Sequence, residues 1–269
     1  MSNSDAPTVE GTKTPTYNRL FNAPDADLTV RSSDGQLFRV HRRNLYEHTE
    51  GFPGEDITVN TDEEIVSLTE SASTLELLFQ FMYRQEQPDV RQLQSTELFD
   101  LAEAVEKYRV FPALQVCNMA MAAAVPVAPV TVLMYALRHN HPALCNAAAS
   151  EVRGSGSVGI ISLDEAFLGS WLAYCSVFKE ALKNARQAPG LVVHKGGRKK
   201  CDTWKAFQLR MDGSIESLCR QDDIRFQETF AWLERLTDDC YQCYTRARQW
   251  RKVIVRSRRE VQREFTSFL

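Results

Sequence analysis

Between Asp27 and Val40 apolar and polar residues alternate on both sides of Ser32-Ser33-Asp34-Gly35, and strand-like sequence returns only at Ile65-Val66-Ser67-Leu68. Alternation of this kind belongs to strands half-buried against a core, and Asp-Gly supplies the positive φ that a tight hairpin needs. From Ser73 onward apolar residues instead recur at three- and four-residue steps, the period of helices. A short hairpin is not stable alone in water, so these few strands must lie against the helices that follow. The predicted class is therefore α+β, a helical cluster with a short β-sheet, followed by a mostly α-helical C-terminal region.

The helices can be placed from their end signals. His41–His48 reads as a short helix ending towards Gly51, before the breaker run Phe52-Pro53-Gly54. Ser73 and Glu76 have capping-box spacing ahead of the stripe Leu75, Leu78, Phe79 and Met82, which predicts a helix to Arg84. Ser95–Tyr108 repeats the stripe with Leu98, Leu101, Ala102 and Val105, and Pro112 suits the first turn of a helix running to Ala124. Beyond Pro129 the predicted helices are Val130–His139, Pro142–Val152 and one capped by Ser162 and Glu165 that runs to Gln187, before Pro189-Gly190. Asp222–Leu269 contains neither Pro nor Gly, so one long helix or two closely joined ones are expected there.

Residues 1–19 carry Ser, Thr, Asp and Pro without an apolar run, and are expected to be a disordered arm with no secretory signal. Met119–Leu137 is uncharged, but Pro126 and Pro129 interrupt it, which predicts two helices meeting at a corner and not a membrane span. Seven cysteines, an odd number, point to free thiols in a reducing compartment, so an intracellular setting, cytoplasmic or nuclear, is expected. The formal charge of −3 conceals two halves: residues 1–112 hold 20 acids and 10 bases, residues 113–269 hold 15 acids and 22 bases. This asymmetry favours two modules with different surfaces.

Several segments together carry a resemblance. These are Asp25-Ala26-Asp27-Leu28, then Gly35 with Phe38-Arg39-Val40-His41 and Leu45, then Ile65-Val66-Ser67-Leu68-Thr69-Glu70. Leu75-Glu76-Leu77-Leu78-Phe79-Gln80-Phe81-Met82-Tyr83 and Leu101-Ala102-Glu103-Ala104-Val105-Glu106-Lys107-Tyr108 complete the series. In order and at this spacing, residues 20–124 resemble a BTB (POZ) domain of the type common in fungal proteins, with 129–269 as a helical C-terminal domain that has a basic loop near 195–200. The resemblance implies a protein–protein interaction module without an active site, which pairs with itself or with partners. Some members of the family are substrate adaptors for cullin-type ubiquitin ligases. After Phe52 this chain has Pro53-Gly54-Glu55-Asp56 where those adaptors carry a hydrophobic-X-Glu element.

Few residues suggest chemistry. Gly154-Ser155-Gly156-Ser157-Val158-Gly159 matches G-x-G-x-x-G, but it follows a helical stretch and not a strand, so a flexible linker is expected. His41 reads as a structural histidine, and His139 and His141 as a surface helix end. Cys117, Cys145, Cys175 and Cys219 sit in apolar helical patterns as small buried hydrophobes. Cys240-Tyr241-Gln242-Cys243 has the C-x₂-C spacing of zinc sites, and His194 and Cys201 lie in an upstream Gly/Lys loop. The four together would make a Cys₃His structural zinc clamp; no other cofactor is expected.

The terminal segment carries Arg246, Arg248, Arg251, Lys252, Arg256, Arg258 and Arg259 beside an apolar seam of Trp250, Ile254, Val261, Phe265 and Phe268. This predicts an amphipathic helix that docks its seam, with Arg251 and Arg258 as candidates to meet a nucleic acid or an acidic protein surface. The expected function is a non-enzymatic, self-associating scaffold or adaptor, with apolar surface supplied by the short sheet and first helix. Leu28, Val30 and Leu45 belong either to the core or to that interface. The alternatives are a cullin-ligase substrate adaptor and a nucleic-acid-binding regulator acting through the basic C-terminal helix.

Overall fold

The hairpin forms as its alternation predicts. Strands β2 (Leu28–Arg31) and β3 (Leu37–Val40) pair antiparallel, with Leu28 opposite Val40 and Val30 opposite Phe38. Gly35 takes φ +89° in the turn, where the Ser32 hydroxyl accepts from the Gln36 amide at 2.9 Å. The protein, a computed structural model, is described over residues 16–52, 65–155, 165–197 and 200–269. It is α+β, and the chain divides into two compact units, Met1–Ala148 and Ala149–Leu269.

In the first unit, β4 (Ile65–Ser67) adds parallel to β2, and a further strand β1 (Tyr17–Asn22) adds parallel to β3, giving the order β1-β3-β2-β4. β1 corrects the expected arm of residues 1–19, whose first fifteen lie outside the described residues. Only Asn18 and Phe21 of this edge strand are buried, so it has no alternation to read. What holds it is long-range: Phe21 packs edge-on against Phe79 and Tyr83, and Asn18 Nδ2 donates to Glu76 Oε2 at 2.6 Å.

Helix α1 (Arg42–His48) follows the hairpin, with Asp27 Oδ1 accepting from the Arg42 amide at 2.8 Å. Helix α2 (Ala72–Gln80) is capped by Ser71, which accepts from the Thr74 amide, and not by Ser73. Ser73 lies inside the first turn, and Glu76 is turned instead to Asn18. Helix α3 (Ser95–Tyr108) keeps its predicted bounds. Leu75, Leu78, Phe79, Leu101, Ala102 and Val105 are all fully buried. Glu70, just past β4, accepts from Lys107 Nζ and Tyr108 Oη, each at 2.7 Å, tying the sheet to the end of α3.

Leu28, Val30 and Leu45 are interior, at 8%, 0% and 2% exposure, so none of them is available to a partner. His41 is structural: its amide donates to Tyr83 Oη at 2.8 Å. Helix α4 (Phe111–Ala124) and helix α5 (Pro129–Arg138) meet at the proline corner. Among the described residues no helix is long and apolar enough to cross a membrane.

The first unit extends past the junction expected at 124–129, because α5 and the turn after it bond back to α3. Glu106, only 7% exposed, takes His141 Nε2 at 2.7 Å and the Tyr135 hydroxyl at 3.3 Å, while Glu103 takes His139 Nε2 at 2.8 Å. His139 and His141 are thus partners in a part-buried network and not a solvated helix end. Glu106→Ala would leave the imidazole and phenol without their acceptor, an expected loss of about 3 kcal/mol by urea unfolding. Glu106→Gln, which keeps an acceptor, should lose less; equal stability of the alanine variant and the native chain would refute this account.

Helix α6 (Pro142–Ser155) contains Gly154 and Ser155, so the start of the glycine-rich motif is helical; its remainder, Ser162 and Pro53–Asp56 lie outside the described residues. The second unit is helical: α7 (Glu165–Ala185), α8 (Asp202–Arg220), α9 (Asp223–Glu234) and α10 (Tyr241–Val261). The terminal stretch forms two helices, parted by a 3₁₀ turn at Arg235–Thr237. The seam of α10 docks as expected, with Trp250, Ile254, Val261 and Phe265 at 0–1% exposure. Trp250 Nε1 donates to the Ala185 carbonyl at 2.7 Å.

Arg258 corrects its assignment as a contact residue. It is 5% exposed, donates to Asp223 Oδ1 at 2.9 Å and the Gln221 carbonyl at 2.7 Å, and lies over the Phe226 ring. Its long stem packs in the core while its head satisfies a helix junction. Arg246 behaves likewise, bonding the Pro189 carbonyl from above Trp204. Arg251, half-buried, donates to Gln227 Oε1 and covers Phe230.

Candidate metal centre

Three cysteines stand at the beginnings of two helices. Cys201 is the N-cap of α8, Cys240 is the N-cap of α10, and Cys243 lies one turn into α10. Amides at a helix start have no partner within the helix and carry the positive end of its dipole, which sets Cys201 where a charged sulfur is favoured. The loop ahead of α8 supplies the fourth group. Gly196 and Gly197 take φ +79° and +75°, a left-handed turn closed by the Gly197 amide on the His194 carbonyl at 3.1 Å. That turn brings His194 Nδ1 to 3.2 Å from Cys240 Sγ.

The ligand atoms of His194, Cys201, Cys240 and Cys243 all lie within 4.8 Å of one another and could hold a metal ion. Cys243 is buried and the other three are half-buried, so the group closes on the core side and opens to the surface. Burial works against a charged Cys201, but the Trp204 and Thr203 amides, the Thr203 hydroxyl and the Cys243 thiol outweigh it and bring its pKa down to about 7. Burial, together with the neighbouring sulfurs, pushes the Cys243 thiol up. Elsewhere burial lifts Cys117 to about 12 and Cys145 and Cys219 to about 11, so these thiols stay protonated and inert.

The structure therefore brings together all four residues expected to form a metal site, across 46 residues between His194 and Cys240. It does not place Arg251 or Arg258 with them. Thr203 and Trp204, whose amides favour a charged Cys201 sulfur, are missed by sequence reasoning: α8 is not among the anticipated helices, so Cys201 could not be read as a helix start. The available signals are Asp202 directly after it and the stripe Trp204, Phe207, Met211, Ile215 and Leu218 at three- and four-residue steps. The sequence matches no model of a known protein family and no curated protein.

Proposed function

We propose that the chain is a non-enzymatic protein-interaction module that pairs with a second copy of itself, with its helical second unit clamped by a structural zinc ion. The observation that carries the interaction reading is the outer face of α4 and the corner after it. Phe111, Val116, Met119 and Val127 are exposed there, Met119 at 65% and Val127 at 79%. No Asp, Glu, Lys or Arg occurs between Arg109 and Arg138. In a unit whose first 112 residues carry ten more acids than bases, this uncharged face is where two copies can approach without like-charge repulsion. The resemblance of residues 20–124 to BTB domains supports the same reading.

The test is the oligomeric state of the full chain by light scattering across a concentration series. A dimer is expected, and Met119→Asp should weaken it by at least about tenfold, as a charge placed in an apolar contact does. A native chain that stays monomeric at about 100 μM would refute self-association, since a contact that weak stabilises by under about 6 kcal/mol.

The zinc reading rests on chemistry and fit. Three sulfurs and one imidazole form a ligand set suited to tetrahedral zinc, in which neighbouring ligand atoms stand about 3.6–3.8 Å apart. From separations of up to 4.8 Å the four atoms need draw in by about 1 Å, while His194 Nδ1 and Cys240 Sγ, at 3.2 Å, would move slightly apart. Four protein ligands would fill the coordination shell, which is the structural and not the catalytic arrangement. A Cys–His pair at 3.2 Å is also the geometry of an activated thiol. Two further sulfurs on the same point favour a ligand set, because they crowd the approach that a substrate would need.

A further inference from the structure

Residues 149–269 contain 21 Lys and Arg against 15 Asp and Glu. Helix α10 alone contains seven against one, so it carries the whole surplus and the rest of the unit is balanced. Three of the seven are committed inside the fold: Arg246 and Arg258 are buried, and Arg251 holds Gln227. The remaining four, Arg248, Lys252, Arg256 and Arg259, are all exposed, and among the described residues none is ion-paired with an acid.

Their spacing of four, four and three residues keeps them within one face of the helix. They form a straight stripe about 16 Å long with a cation roughly every 6 Å. Beside it, α7 and α10 form a groove of about 470 Å³, where Asn184, Gln187, Lys252, Arg256 and Ser257 line the walls with the apolar Ala181 and Val253. Glu260 lines it too, its carboxylate 3.3 Å from the Arg263 guanidinium. The groove thus offers amide and hydroxyl donors beside the cations.

We propose that this stripe and groove bind the phosphate backbone of a nucleic acid strand. A rigid row of evenly spaced cations suits a partner with evenly spaced anions, and the adjoining side-chain donors suit phosphate and sugar oxygens. An acidic protein is the poorer match, because the stripe lacks the buried aromatic or aliphatic anchor that protein interfaces use. A membrane surface is poorer still, because Thr245, Gln249 and Glu260 flank the stripe, and Val253, 36% exposed, is small beside the bulky apolar residues an interfacial helix presents.

The experiment is fluorescence anisotropy of the full chain with a labelled single-stranded oligonucleotide of mixed sequence, and with the corresponding duplex, over a salt series. Four phosphate contacts predict a slope of log affinity against log salt of about −2.8 for the single strand or −3.6 for the duplex. The double substitution Lys252→Glu with Arg256→Glu should lower affinity at least about tenfold and roughly halve that slope. Its thermal unfolding should match the native chain; if it melts early, Lys252→Gln with Arg256→Gln replaces it and should still reduce the slope. No binding at about 50 mM salt, an unchanged affinity in the folded variant, or tighter binding of polyglutamate or phosphatidylserine vesicles would each overturn the proposal.

Discussion

Protein purified from zinc-containing medium is expected to hold one zinc ion per chain, and the Cys243→Ser variant to hold none. Cys243 is the ligand with most to lose, because it is fully buried and its sulfur lies among those of Cys201 and Cys240. Bound metal stabilises only the folded unit, where the four atoms converge; in the unfolded chain His194 and Cys240 are far apart. With free zinc about a thousandfold above the dissociation constant, binding contributes about 4 kcal/mol. For a unit of this size that corresponds to a fall of about 15 °C in the unfolding midpoint when the metal is chelated. Cobalt should substitute and give thiolate charge-transfer bands that Cys243→Ser lacks. Metal content near zero in the native protein, or chelation without a shift in melting, would rule out the clamp. A fully loaded Cys243→Ser variant would rule out the ligand set.

The second large effect is expected at Trp250. Its ring is fully buried, with Trp204 at 5.9 Å and Phe207 at 6.2 Å between centroids, and its indole nitrogen donates to the Ala185 carbonyl at the end of α7. Trp250→Ala removes that packing and leaves a cavity, at a cost of about 4 kcal/mol, and it orphans a buried carbonyl for about 1–2 kcal/mol more. Trp250→Phe keeps much of the packing but loses the donor, so it should fall between native and alanine. All four tryptophans lie beyond Ala148, so intrinsic fluorescence during urea unfolding reports on the second unit alone. Alanine and native proteins with the same midpoint would mean that α10 is not anchored through this ring.

How far the fold was legible depends on the range of the forces involved. The β2–β3 hairpin, α3 and α4 announce themselves because alternation, stripes and a first-turn proline all act within a few residues. The cap of α2 lay two residues from the expected one, since both Ser71 and Ser73 can cap and the choice follows from where Glu76 finds Asn18. β1 carried no local signal, because its strand neighbour lies twenty residues on and only two of its side chains enter the core. The metal centre was legible as ligand types: C-x₂-C spacing is set by one turn of helix. Its closure was not, because it depends on a left-handed glycine turn and on bringing the start of α8 beside the start of α10, a contact between residues about forty positions apart.

By itself, the order of residues determined which elements form and which residue types could meet: strands where polarity alternates, helices where it recurs every three or four, and three thiols and an imidazole with metal chemistry. Only the tertiary structure decided which of these would come together. It turned Arg246 and Arg258 inward while leaving Arg248, Lys252, Arg256 and Arg259 outside. It also buried Glu106 against His141 and drew His194 to Cys240. The physical reason is that a side chain's fate is set by the free energy of burying it against a particular neighbour, and that neighbour can lie far along the chain.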